Sequence, residues 1–124
     1  MNKKIEWGHF SKKEMACSCC GKVGPLPENL AALLAALEKF RKLVDKPVII
    51  HCAYRCPAHN AKVGGVVNSY HTLALAADLH VEEMGLQVMA ALARKAGFRG
   101  VGFYPSWNPP GIHVDLGTVR TWIK

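Results

Sequence analysis

The chain has 124 residues, of which 50% are hydrophobic, and its 16 Lys and Arg against 9 Asp and Glu give a formal net charge of +7. This length and composition predict one domain, residues 1–124, with a hydrophobic core of its own. No stretch approaches the run of about 18 apolar residues that a membrane span needs, and residues 1–7 lack the apolar segment of a secretory signal. We therefore expect a monomer that is synthesised in the cytoplasm without a signal peptide.

The positive charge is spread along the chain and is not gathered into one basic run with aromatic residues between the charges. Such a charge favours association with polyanions, among which nucleic acid and an anionic bacterial wall are two candidates. A dispersed cationic surface is more typical of solvation than of a dedicated nucleic-acid face. We therefore expect no nucleic-acid partner.

The first distinctive segment is Cys-rich and covers about residues 10–24. Cys17, Cys19 and Cys20 lie within four positions there, and Cys52 and Cys56 follow later. An odd number of cysteines argues against a complete disulfide framework. Three interpretations stay open: reduced thiols that act as small hydrophobic residues, one or two disulfides, and a structural zinc site that uses thiolates from both clusters. Reduced thiols are favoured, and a cysteine nucleophile is disfavoured because no thiol is marked by a paired base.

The secondary structure follows from apolar periodicity and from Pro and Gly punctuation. Prolines mark the start of a first helix, whose apolar face is Leu30, Leu33, Leu34, Leu37 and Phe40. The other predicted elements are a buried strand at 47–52, one helical turn from Pro57, a strand at 75–81, a helix at 85–96, and strands at 100–104 and 112–115. These elements predict an α+β fold in which helices pack on a small, largely antiparallel sheet.

Three residues carry the strongest chemical signal, namely His71, Asp78 and His113. Asp78 and His80 interrupt an apolar strand at alternating positions, and polar side chains in a buried strand need partners. If this strand pairs with the strand at 112–115, Asp78 and His113 converge while His71 approaches from the preceding loop. Two imidazoles and one carboxylate give a zinc ion three ligands and leave a position for water, as in catalytic sites. The pattern therefore favours metal-dependent hydrolysis.

Several motifs follow one another in a fixed order along about residues 10–122. They are Tyr54-Arg55-Cys56-Pro57-x-x-Asn60, Val63-Gly64-Gly65, Ser69-x-His71 through Ala76-Ala77-Asp78, Gly100-Val101-Gly102-Phe103-Tyr104-Pro105 and His113-Val114-Asp115. This series resembles the zinc D-Ala-D-Ala carboxypeptidase family, and in particular its small phage and prophage members. That family belongs to the LAS-type metallopeptidases and shares its metal site with lysostaphin-type endopeptidases and the hedgehog signalling domain.

The resemblance implies roles for individual residues. His71, Asp78 and His113 would be the zinc ligands, Arg55 would bind the substrate carboxylate or the developing oxyanion, and Ser69 would line the substrate pocket. Two positions depart from the family pattern. Family members commonly carry an acidic general base three residues before the last zinc histidine, where this chain has Pro110, and a glycine where it has Ala74.

Other polar residues have two interpretations each. Asp115 is either a general base, which must come within about 3 Å of the attacking water, or a residue that orients a ligand histidine, and the second is slightly favoured. Tyr104 either donates a hydrogen bond to substrate or packs under residues 105–111. His51 and His80 are alternatives for proton transfer that are more readily explained as structural.

The implied function is zinc-dependent hydrolysis of the peptide stems of peptidoglycan next to a D-amino acid, by carboxypeptidase or endopeptidase action. A rival hypothesis is a non-catalytic, zinc-stabilised wall-binding or phage structural module. A third is a basic nucleic-acid-binding protein with a cysteine-held zinc. Because no signal peptide is expected, we predict that a phage lysis system or tail structure delivers the protein to the bacterial cell wall.

Overall fold

The computed structural model of the protein describes residues 5–65 and 69–124. The prediction that residues 1–7 lack a secretory signal falls partly on residues 1–4, which lie outside the described range. The helices are α1 (Lys12–Met15), α2 (Pro27–Val44), α3 (Pro57–Lys62) and α4 (Leu86–Lys95), with a short 3-10 helix at Tyr70–Leu73. The strands are β1 (Val48–Cys52), β2 (Ala76–Val81), β3 (Gly100–Tyr104), β4 (Gly111–Asp115) and β5 (Arg120–Ile123).

The strands form one sheet in the order β1-β2-β4-β3-β5. The first three pairings are antiparallel, and only β5 runs parallel to its neighbour β3 within the described residues. This confirms the α+β fold with a largely antiparallel sheet. In the β2–β4 pairing Asp78 lies directly opposite His113, so the predicted convergence of these two residues is also confirmed.

One face of the sheet packs against helices α2 and α4. Successive side chains of a strand point to opposite faces, and the core face of β2 and β4 carries Leu79, Ile112 and Val114, all completely buried. From the helices, the core takes Phe40 and Met89 together with the rest of the apolar face predicted for α2. The opposite face of these strands therefore carries the polar residues Asp78, His80, His113 and Asp115.

No helix within the described residues is long and apolar enough to cross a membrane.

The segment that carries His71 differs from the loop predicted for it. It forms the 3-10 helix, whose N-terminus is capped by the Ser69 hydroxyl, which accepts a hydrogen bond from the His71 amide at 3.2 Å. The helix ends at Ala74, which is completely buried and adopts a left-handed conformation with φ of 57°. Glycine adopts this conformation without strain. The turn that the family pattern ends with glycine is thus formed here with alanine.

Three further features were not predicted from the sequence. Helix α1 is a single turn closed by a capping box between Ser11 and Glu14. Strand β5 is mostly exposed and lacks an apolar alternation. Strand β1 has an irregularity between Ile50 and Cys52, after which Cys52 lies opposite Asp78. Each of these features bears on the two sites described below.

Candidate functional site

A cleft with a volume of about 770 Å³ lies over the polar face of the sheet. Its walls come from the loop after β1, the end of α3, the 3-10 helix, the turn between β3 and β4, and β5. It is lined by Arg55, Val63, Gly64, Gly65, Ser69, Tyr70, His71, Asp78, Tyr104, Ser106, Trp107, His113, Thr118, Arg120, Trp122 and Lys124. Six of the seven predicted site residues other than the cysteines therefore meet here, namely Arg55, Ser69, His71, Asp78, Tyr104 and His113, and the seventh, Asp115, is absent from this lining.

Asp78 lies between the two histidines. Its Oδ2 atom is 3.3 Å from His71 Nε2, and its Oδ1 atom is 2.9 Å from His113 Nδ1. The two imidazole rings meet edge to face with their centroids 5.1 Å apart. His71 and His113 are 2% and 6% exposed, so one nitrogen of each histidine and both oxygens of the carboxylate face one another in a nearly closed pocket.

The second nitrogen of each histidine is already engaged. His71 Nδ1 lies 2.7 Å from the carbonyl oxygen of Ala53, and His113 Nε2 lies 2.8 Å from Asp115 Oδ2. Such hydrogen bonds fix the ring orientation of metal-binding histidines and direct the other nitrogen at the ion. The donor set and its outer contacts therefore fit a divalent cation bound by His71 Nε2, Asp78 and His113 Nδ1.

The charges of these groups also fit a cation. Burial acts to raise the pKa of Asp78, but hydrogen bonds from His113 and His71 hold it well below its ordinary range. Burial acts to lower the pKa of His71, but Asp78 and the nearby Cys52 thiol raise it to about 9. The pKa of His113 is raised against burial by Asp115 and Asp78. The carboxylates thus favour positive charge at this site, and a bound divalent cation would take the place of the imidazole protons because metal binding releases ligand protons.

Asp115 is completely buried beside this group. Its Oδ2 atom accepts hydrogen bonds from His113 Nε2 at 2.8 Å and from Arg120 at 2.9 Å, and its Oδ1 atom accepts from the Gly117 amide at 2.9 Å. Burial acts to raise the pKa of Asp115, but these donors lower it. Both oxygens are therefore occupied, and Asp115 is absent from the set of described residues that line the cleft.

Arg55 enters the cleft from the loop after β1. Its backbone amide donates a hydrogen bond to the carbonyl of His71 at 3.1 Å, which ties this loop to the 3-10 helix. Its side-chain Nε is buried and has no hydrogen-bond partner within residues 5–65 and 69–124. A buried guanidinium nitrogen with an unmet hydrogen bond is costly, and a ligand carboxylate or oxyanion would satisfy it.

Aromatic side chains and a second arginine complete the cleft. Tyr104 stacks on Trp107 with ring centroids 4.3 Å apart, and burial raises the pKa of its hydroxyl. Trp122 lies 4.9 Å from the His113 ring, and the Arg120 guanidinium lies 4.3 Å above Trp122. Trp107, Arg120 and Trp122 were not identified from the sequence. No local motif marks these residues, because Trp107 lies in a turn and the other two belong to the unpredicted strand β5.

Cys52 belongs to this site and lies apart from the other cysteines. Its sulfur is 3.9 Å from His71 Nδ1, and it forms one group with the ligand atoms of His71 and Asp78. The β1 irregularity places it there, because the irregularity shifts the register by one residue and aligns Cys52 with Asp78. A site that combines Cys52 with the N-terminal cysteines therefore does not match the geometry.

His51 and His80 interact with each other outside the cleft lining. His51 Nε2 lies 2.6 Å from His80 Nδ1, and His80 Nε2 lies 3.0 Å from the Glu82 carboxylate. Burial and the neighbouring His80 lower the pKa of His51. Because neither histidine lines the cleft in the described part of the chain, this geometry supports the structural interpretation of both.

Comparison with known proteins places this geometry in context. The family model described as Peptidase M15 matches residues 8–115 of the chain. The peptidoglycan L,D-endopeptidase MepK of Escherichia coli (strain K12) is 40% identical over 84 aligned positions, and the match covers 62% of this chain and 44% of that protein. The zinc D-Ala-D-Ala carboxypeptidase of Streptomyces albus G is 38% identical over 108 aligned positions, and the match covers 82% of this chain and 42% of that protein. The chain thus spans less than half the length of these relatives.

Proposed function

The chain belongs to the peptidase M15 family, as the resemblance of its motifs predicted, and on this premise we propose that it is a zinc-dependent peptidase of peptidoglycan. Its substrate would be the peptide stem, cleaved at a bond next to a D-amino acid. The observation that carries this proposal is the convergence of His71, Asp78 and His113 at the base of a cleft that also holds Arg55 and Arg120.

In this proposal His71 Nε2, Asp78 and His113 Nδ1 hold the zinc ion. A zinc ion in such a site supplies Lewis acidity, which polarises the scissile carbonyl and makes water a nucleophile near neutral pH. The protein's own contribution is to orient the ligands through the Ala53 carbonyl and the Asp115 carboxylate. Ser69 assists by capping the helix that carries His71, and it lines the substrate side of the cleft.

Arg55 would bind the negative end of the substrate or the developing oxyanion. Its unpaired Nε within the described residues is the supporting observation, and a planar guanidinium suits bidentate carboxylate binding. Arg120 lines the same cleft but already binds Asp115. A carboxypeptidase must bind a free terminal carboxylate, so Arg55 favours carboxypeptidase over endopeptidase action. Tyr104, on the aromatic wall, would contact the substrate peptide.

A second candidate function is supported by the scarcity of carboxylates that could act as a general base among the described residues of the cleft. Position 110 is proline, and Asp78 is the only carboxylate among the described residues that line the cleft. Asp115 is held by three donors. A chain without a general base would keep zinc for stability and act as a wall-binding module or phage structural module. Catalysis would then be absent although substrate binding is retained.

The deciding experiment incubates the zinc-loaded protein with purified peptidoglycan and analyses the products by mass spectrometry. Carboxypeptidase action releases D-alanine, whereas endopeptidase action creates new amines inside cross-linked or stem peptides. We expect cleavage that is lost after chelation, restored by zinc, and lost in His71→Ala and His113→Ala. His9→Ala is the matched control, because this exposed histidine bonds Glu38 and lies outside the described lining of the cleft.

Two results would reject the peptidase proposal. Retention of the protein on the wall without any product would favour the binding module. Product formation that survives His113→Ala would show that the reaction does not depend on this site.

The net charge of +7 suits binding to an anionic wall. Delivery by a phage lysis system or tail structure stays a prediction from the sequence.

A further inference from the structure

A second cluster of metal-binding side chains lies at the N-terminal segment, separate from the group around Asp78. The ligand atoms of Cys17, Cys20 and Cys56 all lie within 4.8 Å of one another. Cys17 is buried, Cys56 is half-buried and Cys20 is exposed, and each is a free thiol in the described part of the chain. Cys17 and Cys56 also pack with Tyr54 and Ala74 in a small apolar cluster. Three thiols thus converge where a disulfide would use only two.

The backbone around Cys17 forms a tight loop. The Gly21 amide donates to the Cys17 carbonyl and the Cys17 amide donates to the Lys22 carbonyl, both at 2.8 Å. Gly21 has a φ of 75°, a left-handed conformation that glycine adopts without strain. This loop turns Cys20 back toward Cys17, as the short Cys-x-x-Cys spacing of structural zinc sites requires.

The second half of the cluster lies at the start of α3. The Cys56 amide donates to the Cys17 sulfur at 3.4 Å, and the His59 amide donates to the Cys56 sulfur at 3.4 Å. Amide hydrogen bonds of this kind stabilise and orient thiolate ligands. The His59 ring is directed at the N-terminal loop, because its Nε2 lies 3.3 Å from the Ser18 hydroxyl. The spacing Cys56-Pro57-Ala58-His59 would supply a second pair of ligands, of the Cys-x-x-His type, if the His59 ring turns from Ser18 to the three-cysteine group.

We propose that Cys17, Cys20, Cys56 and His59 bind a structural zinc ion. Three thiolates and one imidazole complete a tetrahedral set, so no position is left for water and the site is structural, not catalytic. The ion would fasten the N-terminal segment to the loop between β1 and α3. That loop also carries Arg55, which immediately precedes Cys56. The Tyr54 amide already donates to the Met15 carbonyl at 3.3 Å between the same two segments.

The first test counts metal ions in the full chain by elemental analysis after purification with zinc. We expect about two zinc ions per chain for the wild type and about one for each of Cys20→Ser, Cys56→Ser and His59→Ala. The double variant His71→Ala, His113→Ala should also keep about one ion, now only in the thiolate site. Cys19→Ser tests the rival for the fourth ligand, because Cys19 is exposed and outside the three-cysteine group, but its side chain also interacts with Cys56. It should keep both ions.

A spectroscopic test identifies the ligands independently of peptidase activity. Cobalt bound to the His71→Ala, His113→Ala variant should give sulfur-to-cobalt charge-transfer absorption and the visible bands of tetrahedral cobalt. Both signals should disappear when Cys20→Ser is added. If the added change prevents folding, thiol titration of the His71→Ala, His113→Ala variant serves instead, since its zinc would not lie beside Cys52. Zinc should then slow the reaction of three of the five cysteines by at least about tenfold.

The proposal is overturned if the wild type binds one ion that the His71→Ala, His113→Ala variant fails to bind. It is also overturned if reduced protein gives no charge-transfer absorption with cobalt. A third contrary result would be a disulfide between two of the three clustered thiols, detected by mass spectrometry of protein that was handled in air in the presence of zinc. Loss of the ion in Cys19→Ser but not in His59→Ala would overturn the assignment of His59. Because these measurements need no substrate, they stand apart from the peptidase proposal.

Discussion

Replacing Asp115 with asparagine distinguishes whether this carboxylate orients His113 or accepts a proton from water. Asparagine keeps the shape of aspartate, but one of its two terminal atoms becomes a donor. Both oxygens of Asp115 now accept hydrogen bonds, from His113 and Arg120 on one side and from Gly117 on the other. In either orientation the new amide group therefore faces a donor, and at least one hydrogen bond is lost.

The size of the effect follows from these contacts. Asp115 is completely buried, and a hydrogen bond that involves a charged group contributes about 1.5–3 kcal/mol. If the lost interaction is the one that orients His113, zinc affinity falls about 10–100-fold, because 1.4 kcal/mol corresponds to a factor of ten. The same range is typical for removal of a hydrogen-bond partner of a metal-binding histidine. We therefore expect weaker zinc binding with cleavage largely restored at saturating zinc.

The assay combines a zinc competition titration against a chromophoric chelator with peptide cleavage at saturating zinc. A general base contributes about 10²–10⁴-fold to the rate. If Asp115→Asn leaves zinc affinity unchanged and lowers kcat by such a factor, the positioning role is wrong and Asp115 acts as the base. Urea unfolding of the zinc-free variant shows whether it has retained its fold.

Glu82→Gln is the matched control for this experiment. Glu82 also binds a histidine, with its carboxylate 3.0 Å from His80 Nε2, but it is 71% exposed and lies outside the described lining of the cleft. The same chemical change should leave zinc affinity within about twofold, since an exposed ion pair contributes little. If Glu82→Gln weakened zinc binding as much as Asp115→Asn, the argument from the Asp115 contacts would fail.

Arg55→Lys keeps the charge but loses the bidentate geometry of the guanidinium group. The KM for peptides with a free terminal carboxylate should therefore rise about tenfold, while the KM for amidated peptides should not change. Equal effects on both kinds of peptide would exclude carboxylate binding by Arg55. Gly100→Ala places a methyl group against the Asp115 carboxylate and should lower both zinc affinity and stability, the latter by about 1–3 kcal/mol. Its control Gly85→Ala meets nothing within 4 Å and should cost only about 0.5–1 kcal/mol, as a weakened helix cap, without an effect on zinc. Phe40→Ala removes a completely buried ring and should lower the free energy of unfolding, measured by urea titration, by about 3–5 kcal/mol. A smaller loss would mean that neighbouring side chains move to fill the cavity.

The sequence by itself determined most of the regular elements and the family. The helix face from Leu30 to Phe40 and the strands around Asp78 and His113 follow from local apolar periodicity, because a helix and a strand bury different spacings of side chains. The motif around His71 indicated the family because several residue types occur in a fixed order. Local patterns thus sufficed to predict the fold class and the candidate ligands.

Only the tertiary structure decided which distant residues join each site. The parallel pairing of β5 with β3 brings Arg120 and Trp122 to the cleft. This pairing cannot be predicted from the sequence of β5, because the strand has four residues, is mostly exposed and lacks an apolar alternation. The β1 irregularity sets Cys52 opposite Asp78, where its sulfur joins the group of His71 and Asp78. The approach of Cys17 to Cys56 joins segments 39 residues apart. Such contacts depend on register and chain crossing, which are set by the whole packed core and not by neighbours in sequence.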